Sequence, residues 1–157
     1  MMSMTIGTQA PNFKLVNTNK QEIELHAHQG KNVLLLFFPL AFTGTCTAEL
    51  CSVRDNMAVY EQLDATVYGI SVDSLFALGK FKEEQKFNFD LLSDFNREIS
   101  TAYGCLYSEF VFGMKGVSKR SAFVIDKKGI IQYAEVLEKA ADIPNFDSIK
   151  ACLEQLK

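Results

Sequence analysis

Chemistry concentrates in one stretch of the chain, Phe38-Pro39-Leu40-Ala41-Phe42-Thr43-Gly44-Thr45-Cys46-Thr47-Ala48-Glu49-Leu50-Cys51. An apolar run precedes it and helix-periodic residues follow, so Cys46 falls in the first turn of a helix that leaves a buried strand. The free backbone N–H groups and positive dipole end of such a turn favour thiolate over thiol. A free cysteine of pKa about 8.5 is only a few per cent thiolate at neutral pH, so this placement raises the nucleophilic fraction. Thr43, on the loop before the helix, can set its hydroxyl beside the sulfur or beside an incoming oxygen, and Pro39 can close a pocket without adding a donor. Position alone leaves two readings of Cys46 open, a reactive thiol and a small buried residue.

The remaining candidates are weaker. In an intact helix, Cys51 would lie roughly 8.7 Å from Cys46 between Cα atoms. A disulfide tolerates at most about 7 Å, so a bond between them requires the first turn to unwind, and simple packing of Cys51 is the competing reading. Metal ligation by Cys46, Cys51, His26 and His28 lacks the paired cluster that zinc sites use. Alternation through Glu22-Ile23-Glu24-Leu25-His26-Ala27-His28 turns Ile23, Leu25 and Ala27 inward and both histidines to solvent. Neither a C-x-x-C dithiol nor a nucleotide-binding glycine fingerprint is present. Cys152 sits in a helical apolar stripe and reads as core, whereas Cys105, near a loop, stays a minor candidate for a second redox thiol. Arg120 stands at the mouth of a strand, where a guanidinium could reach a thiolate at a neighbouring strand's end or simply remain a solvated charge.

The elements that must position these residues follow from periodicity. Phe13 to Val16 and Glu22 to Ala27 read as an N-terminal hairpin, and Val33 to Phe38 as a central strand buried on both faces. Cys46 to Leu63 carries apolar residues at threes and fours, predicting one amphipathic helix. A strand over Thr66 to Val72, a helix from Ser74 to Gln85, a strand at Phe89 to Leu92 and a short helix from Asn96 to Tyr103 come next. Ser121 to Ile125 and Ile130 to Glu135 flank the turn Asp126-Lys127-Lys128-Gly129, and a helix with Phe146, Ile149, Leu153 and Leu156 on its inner face closes the chain. This order predicts an α/β fold, a mixed central sheet flanked by helices.

Composition bounds the rest. The chain of 157 residues is expected to form one domain, 1–157, large enough for a core without staples. Lys and Arg number 16 against 19 Asp and Glu, a net charge of −3, with no basic run longer than a pair. A nucleic-acid or anionic-membrane surface is therefore not expected. The longest apolar run, Val33 to Phe42, is too short to span a membrane, and Met1 to Phe13 lacks a secretory core, so the expected location is cytoplasmic. Four cysteines are too few for a disulfide scaffold and must be explained by packing, metal or reactivity.

The pattern of Pro39, Thr43 and Cys46 resembles the peroxiredoxin signature: proline, three residues, threonine or serine, two residues, cysteine. That family, of the AhpC/TSA type, comprises thiol peroxidases of thioredoxin-like fold. Arg120 in Arg120-Ser121-Ala122-Phe123-Val124-Ile125-Asp126 is similar to the family's distant arginine, and Glu49 to its glutamate three after the cysteine. The opening Gly7-Thr8-Gln9-Ala10-Pro11-Asn12-Phe13 also resembles the family's start, so the similarity spans nearly the whole chain. The active-site loop is similar to the E-type, one-cysteine group, while Cys51 is similar to the resolving cysteine of the Q-type, or bacterioferritin-comigratory-protein, group. The resemblance implies peroxide reduction by Cys46, with Arg120 and Thr43 stabilising the transferring oxygens and Glu49 orienting Arg120. It further implies resolution by Cys51, re-reduction by thioredoxin or a similar dithiol, a homodimer through the active-site face, and no metal, haem or flavin. Two alternatives accompany it, a one-cysteine peroxidase served by a small thiol and a non-enzymatic redox-sensing or holdase-like protein.

Overall fold

A computed structural model describes residues 4–28 and 30–157; Met1 to Ser3, at the start of the expected 1–157 unit, lie outside the described residues, as does Gln29. In chain order the elements are β1 (Lys14–Asn17), β2 (Glu22–Glu24), a 3-10 turn (Leu25–His28), β3 (Asn32–Phe37), α1 (Gly44–Asp55) and α2 (Met57–Gln62). Then come β4 (Ala65–Ser71), α3 (Leu75–Gln85), β5 (Asp90–Ser93), α4 (Glu98–Ala102), β6 (Ser121–Ile125), β7 (Ile131–Val136) and α5 (Phe146–Leu156). The seven strands form one sheet in the order β2-β1-β5-β4-β3-β6-β7. β3, β4 and β5 run parallel, and the remaining pairings are antiparallel.

Every residue of β3 is buried, Asn32 included, and for Val33 to Phe37 this is expected of an unbroken apolar run with a strand on each side. Alternation sends Leu34 and Leu36 into a core with α1, α2, α3 and α5, and Val33, Leu35 and Phe37 into a second core with Phe13, Tyr103 and Phe123. Gly69 of β4 makes the first core possible. A Cβ there would stand 2.7 Å from Leu91 Cδ2 and 3.3 Å from the Phe38 ring. The β6–β7 turn uses Gly129 at φ 85, with the Asp126 carboxylate accepting from the N–H groups of Lys128 and Ile130.

Two expectations need correction. The helix expected from Cys46 to Leu63 is broken at Asn56, whose backbone leaves the helical region (φ −110, ψ 15) and whose amide donates to Ser52 O at 2.8 Å. Asparagine competes with the helix for its own backbone acceptors, and the apolar periodicity does not register that. The strand expected to run from Glu22 to Ala27 stops at Glu24, and the chain tightens into the 3-10 turn. Ala27 consequently faces solvent, while His28 is half-buried, its Nδ1 against Glu24 O and its Nε2 against the Tyr68 hydroxyl. The histidine pair expected on one wet face is thus split, with only His26 exposed.

Candidate active site

Two strands bring the site together. β3 and β6 are antiparallel with Phe37 opposite Ser121, so the C-terminal end of β3 meets the N-terminal end of β6. Cys46 follows the first end by a short loop and Arg120 immediately precedes the second. The side chains of residues 74 positions apart converge: Arg120 Nη2 donates to Cys46 Sγ at 3.1 Å. Both residues are buried, Cys46 at 0% exposure and Arg120 at 1%. The solvated charge that an arginine at a strand mouth usually represents is therefore not found here.

Arg120 is held on every side of its fork. Nη1 donates to Glu49 Oε1 at 2.7 Å, and Nε and Nη2 donate to the Ala140 carbonyl at 3.2 and 3.0 Å. Burial works against the guanidinium charge, but the Cys46 sulfur and the Glu49 carboxylate outweigh it and hold the group firmly protonated. Glu49 lies one turn along α1 from Cys46 and is itself buried, with Oε2 finding no hydrogen-bond partner among the described residues. Desolvation accordingly lifts its carboxyl from an ordinary 4.5 to about 7, despite the attraction and hydrogen bond of Arg120. Burial, with the Glu49 carboxylate adding to it, pushes the Tyr60 phenol up to about 12.

A pocket of about 190 Å³ is lined by Pro39, Thr43, Cys46, Phe110, Arg120 and Ala140, together with the first-turn residues Gly44 and Thr45. Thr43 is the N-cap of α1, yet its hydroxyl donates to Leu40 O at 2.7 Å rather than to the sulfur. With its proton committed to Leu40, Oγ1 presents acceptor lone pairs to whatever enters. The loop is strained: Phe42 takes φ 67, a conformation that β-carbon sterics disfavour, with its ring 5.0 Å from that of Phe81. A side chain that sequence reasoning missed fixes this loop from the next strand end. Asp73 Oδ2 accepts from Ala41 N at 2.8 Å and from the Ser71 hydroxyl at 2.6 Å. Its only sequence signal is its place just beyond β4, where open α/β sheets hold functional residues. Phe110 and the Ala140 carbonyl were also missed.

Residues 6–134 match the AhpC/TSA family. The chain belongs to that family. Alkyl hydroperoxide reductase E of Mycobacterium bovis is 39% identical over 136 residues, spanning 85% of this chain and 86% of its own length. Peroxiredoxin Bcp of Bacillus subtilis is 35% identical over 157 residues, spanning 99% and 97%. Among solved structures, peroxidoxin BcpB from Mycobacterium tuberculosis superposes with a TM-score of 0.86 at 28% identity over 98% of this chain and 99% of that one. A peroxiredoxin-like protein from Aquifex aeolicus gives 0.90 at 26% identity over 100% and 90%. The fold is the thioredoxin-like fold of these proteins.

In this family member the other thiols are placed apart from the pocket. α1 is continuous from Gly44 to Asp55, so Cys51 remains helical, half-buried, with Sγ donating to Gln85 Oε1 at 3.4 Å. All four cysteines are free thiols. Cys105 lies in the core on the opposite face of the sheet, and burial pushes its thiol up to about 12. Cys152 packs from α5 against the α1 side, its Sγ 3.7 Å from Gln132 O, and burial raises it too. Among the described residues no three side chains of the metal-ligating types cluster, and no helix is long and apolar enough to cross a membrane.

Proposed function

We propose that the chain reduces hydroperoxides with Cys46 as the peroxidatic nucleophile. The observation that carries this reading is the Arg120 guanidinium 3.1 Å from the Cys46 sulfur, with both residues lining one pocket. A guanidinium donating to sulfur stabilises negative charge there and remains in place as charge moves onto the peroxide oxygens. The thiolate attacks the terminal oxygen of R–O–OH. An S–O bond forms as the O–O bond breaks, the alkoxide leaves and takes a proton as ROH, and Cys46 becomes a sulfenic acid. Thr43 Oγ1 accepts the hydrogen bond of the incoming hydroperoxide, Pro39 shields the sulfur from water, and Glu49 orients Arg120.

Cys51 then attacks the sulfenic sulfur, water leaves, and a dithiol such as thioredoxin reduces the disulfide by exchange. Mass spectrometry after one equivalent of hydrogen peroxide tests both steps. Cys46 sulfenic acid followed by a Cys46–Cys51 link supports them, whereas a link to Cys105 or Cys152 rejects the resolving step and an unreacted Cys46 rejects the whole reading. The intact α1, with Cys51 packed beside the core, favours a second reading: a one-cysteine enzyme resolved by a small thiol. In that case Cys51 stays reduced throughout turnover. Very slow peroxide consumption with every reductant would instead indicate a redox sensor. We further read residues 1–157 as one cytoplasmic domain that dimerises through the pocket face, a reading supported by the exposed Phe42, Val111 and Phe112 around it.

A further inference from the structure

The half of α1 remote from the pocket is fastened to a different part of the molecule. Cys51 Sγ donates to the Gln85 side chain, and Arg54 Nη1 donates to the Gln85 main-chain carbonyl. In return, Asn88 Nδ2 donates to Arg54 O at 3.2 Å. Gln85 is the last residue of α3, and a hydrogen-bonded corner follows it. Lys86 takes the left-handed conformation at φ 56, and Phe87 N bonds back to Lys82 O at 3.1 Å. Three hydrogen bonds thus join residues 51–54 to the corner 85–88, and none of them involves a residue of the peroxide pocket.

This arrangement conflicts with the second chemical step. Forming Cys46–S–S–Cys51 from Cys46–SOH and Cys51–SH releases water, the Cys51 proton leaving with the sulfenic hydroxyl. The two Cα atoms, roughly 8.7 Å apart in an intact helix, must first come within about 7 Å. Cys51 must therefore leave Gln85 and α1 must open, while the corner holds both in place. We propose that the Gln85–Asn88 corner is a latch on the resolving cysteine, and that it sets how long the Cys46 sulfenic acid survives before the disulfide closes. The proposal rests on Cys51 being the resolving residue. Gln85 and Asn88 act as positioning residues, and a longer-lived sulfenic acid is more exposed to a second peroxide and hence to sulfinic acid.

Gln85→Ala and Asn88→Ala each remove one side-chain bond from a half-buried or exposed position and leave the Arg54 to Gln85 main-chain bond intact. Losing one hydrogen bond of ordinary strength shifts an opening equilibrium roughly fivefold. After rapid mixing with hydrogen peroxide, the rate of sulfenic acid formation is the internal reference and the rate of disulfide closure is the readout. Each variant is expected to close the disulfide about fivefold faster than wild type relative to that reference, and to yield correspondingly less sulfinic acid at excess peroxide. Amides 47–53 of the reduced variants should exchange faster. Closure at the wild-type rate in both variants overturns the latch and leaves the role of Cys51 standing. Absence of any Cys46–Cys51 link in wild type overturns the reading beneath it. In a Cys51→Ser background, Gln85→Ala should no longer affect sulfinic acid yield, and a persisting effect would also overturn the latch.

Discussion

Cys46 and Cys105 are equally buried, at 0% exposure, on opposite faces of one sheet, and Arg120, just before β6, and Ser121, its first residue, divide between them. Arg120 turns to the α1 side and donates to Cys46. Ser121, one residue on and pointing the other way, puts its hydroxyl beside Cys105. At Cys105 a neutral hydroxyl does not offset desolvation, so burial drives the thiol up to about 12. A fixed guanidinium and the first turn of α1 face Cys46 instead. Exposure therefore does not separate the cysteine proposed as nucleophile from the one left in the core. The charge and donors within reach of the sulfur do.

The sharpest way to break this comparison is to exchange the fates of the two thiols. Cys46→Ser should lose peroxide consumption by roughly 10³-fold or more, because nothing else in the pocket replaces the nucleophile. Cys105→Ser should leave turnover within about twofold, with any effect confined to stability of the second core. A reductant-coupled assay on both variants decides it. Residual near-wild-type activity in the first, or a large loss in the second, would mean that the wrong face has been assigned the chemistry.

Next in size is the guanidinium itself. Arg120→Lys keeps a positive charge but cannot serve Glu49, Ala140 and Cys46 together, since an ammonium lacks the planar fork. Loss of one preorganised donor typically costs about 3 kcal/mol, so sulfenic acid formation should slow by roughly 10²-fold while circular dichroism stays unchanged. A loss below about threefold would show that the fork is structural and that the turn of α1 alone distinguishes Cys46 from Cys105.

The legible part of this site was what sits near Cys46 in sequence. A buried run ending at a proline, a threonine three residues before the cysteine and the helical periodicity after it all reflect local geometry. Strand alternation could place Arg120 at a strand mouth, but not its burial. That depends on Phe37 pairing with Ser121 across the sheet and on Glu49 and the Ala140 carbonyl being there to receive the fork. Asp73 holding Ala41 N, and Phe110 at the pocket wall, are likewise contacts between distant segments with no periodic trace. The break at Asn56 was hidden for the opposite reason, because a single polar side chain overrides a pattern averaged over a window.

The smallest expected effect tests the electrostatics of the Arg120 side alone, through the acid range. Glu49 is lifted from 4.5 to about 7 by burial, so between those values the folded protein binds a proton that the unfolded chain releases. Stability from this group is thus fully present below about pH 4.5 and is lost as pH rises through about 7. Cys105, held up near 12, does not titrate in that window. Denaturant unfolding of wild type should therefore show about 2 to 3 kcal/mol less stability from Glu49 near pH 8 than near pH 5, on top of whatever surface groups contribute. Glu49→Gln keeps an acceptor for Arg120 but cannot ionise, so its pH slope should be flatter by that amount. An unchanged slope in Glu49→Gln would mean that the carboxylate is ionised throughout this range, and that Arg120 stabilises the Glu49 anion as effectively as water does.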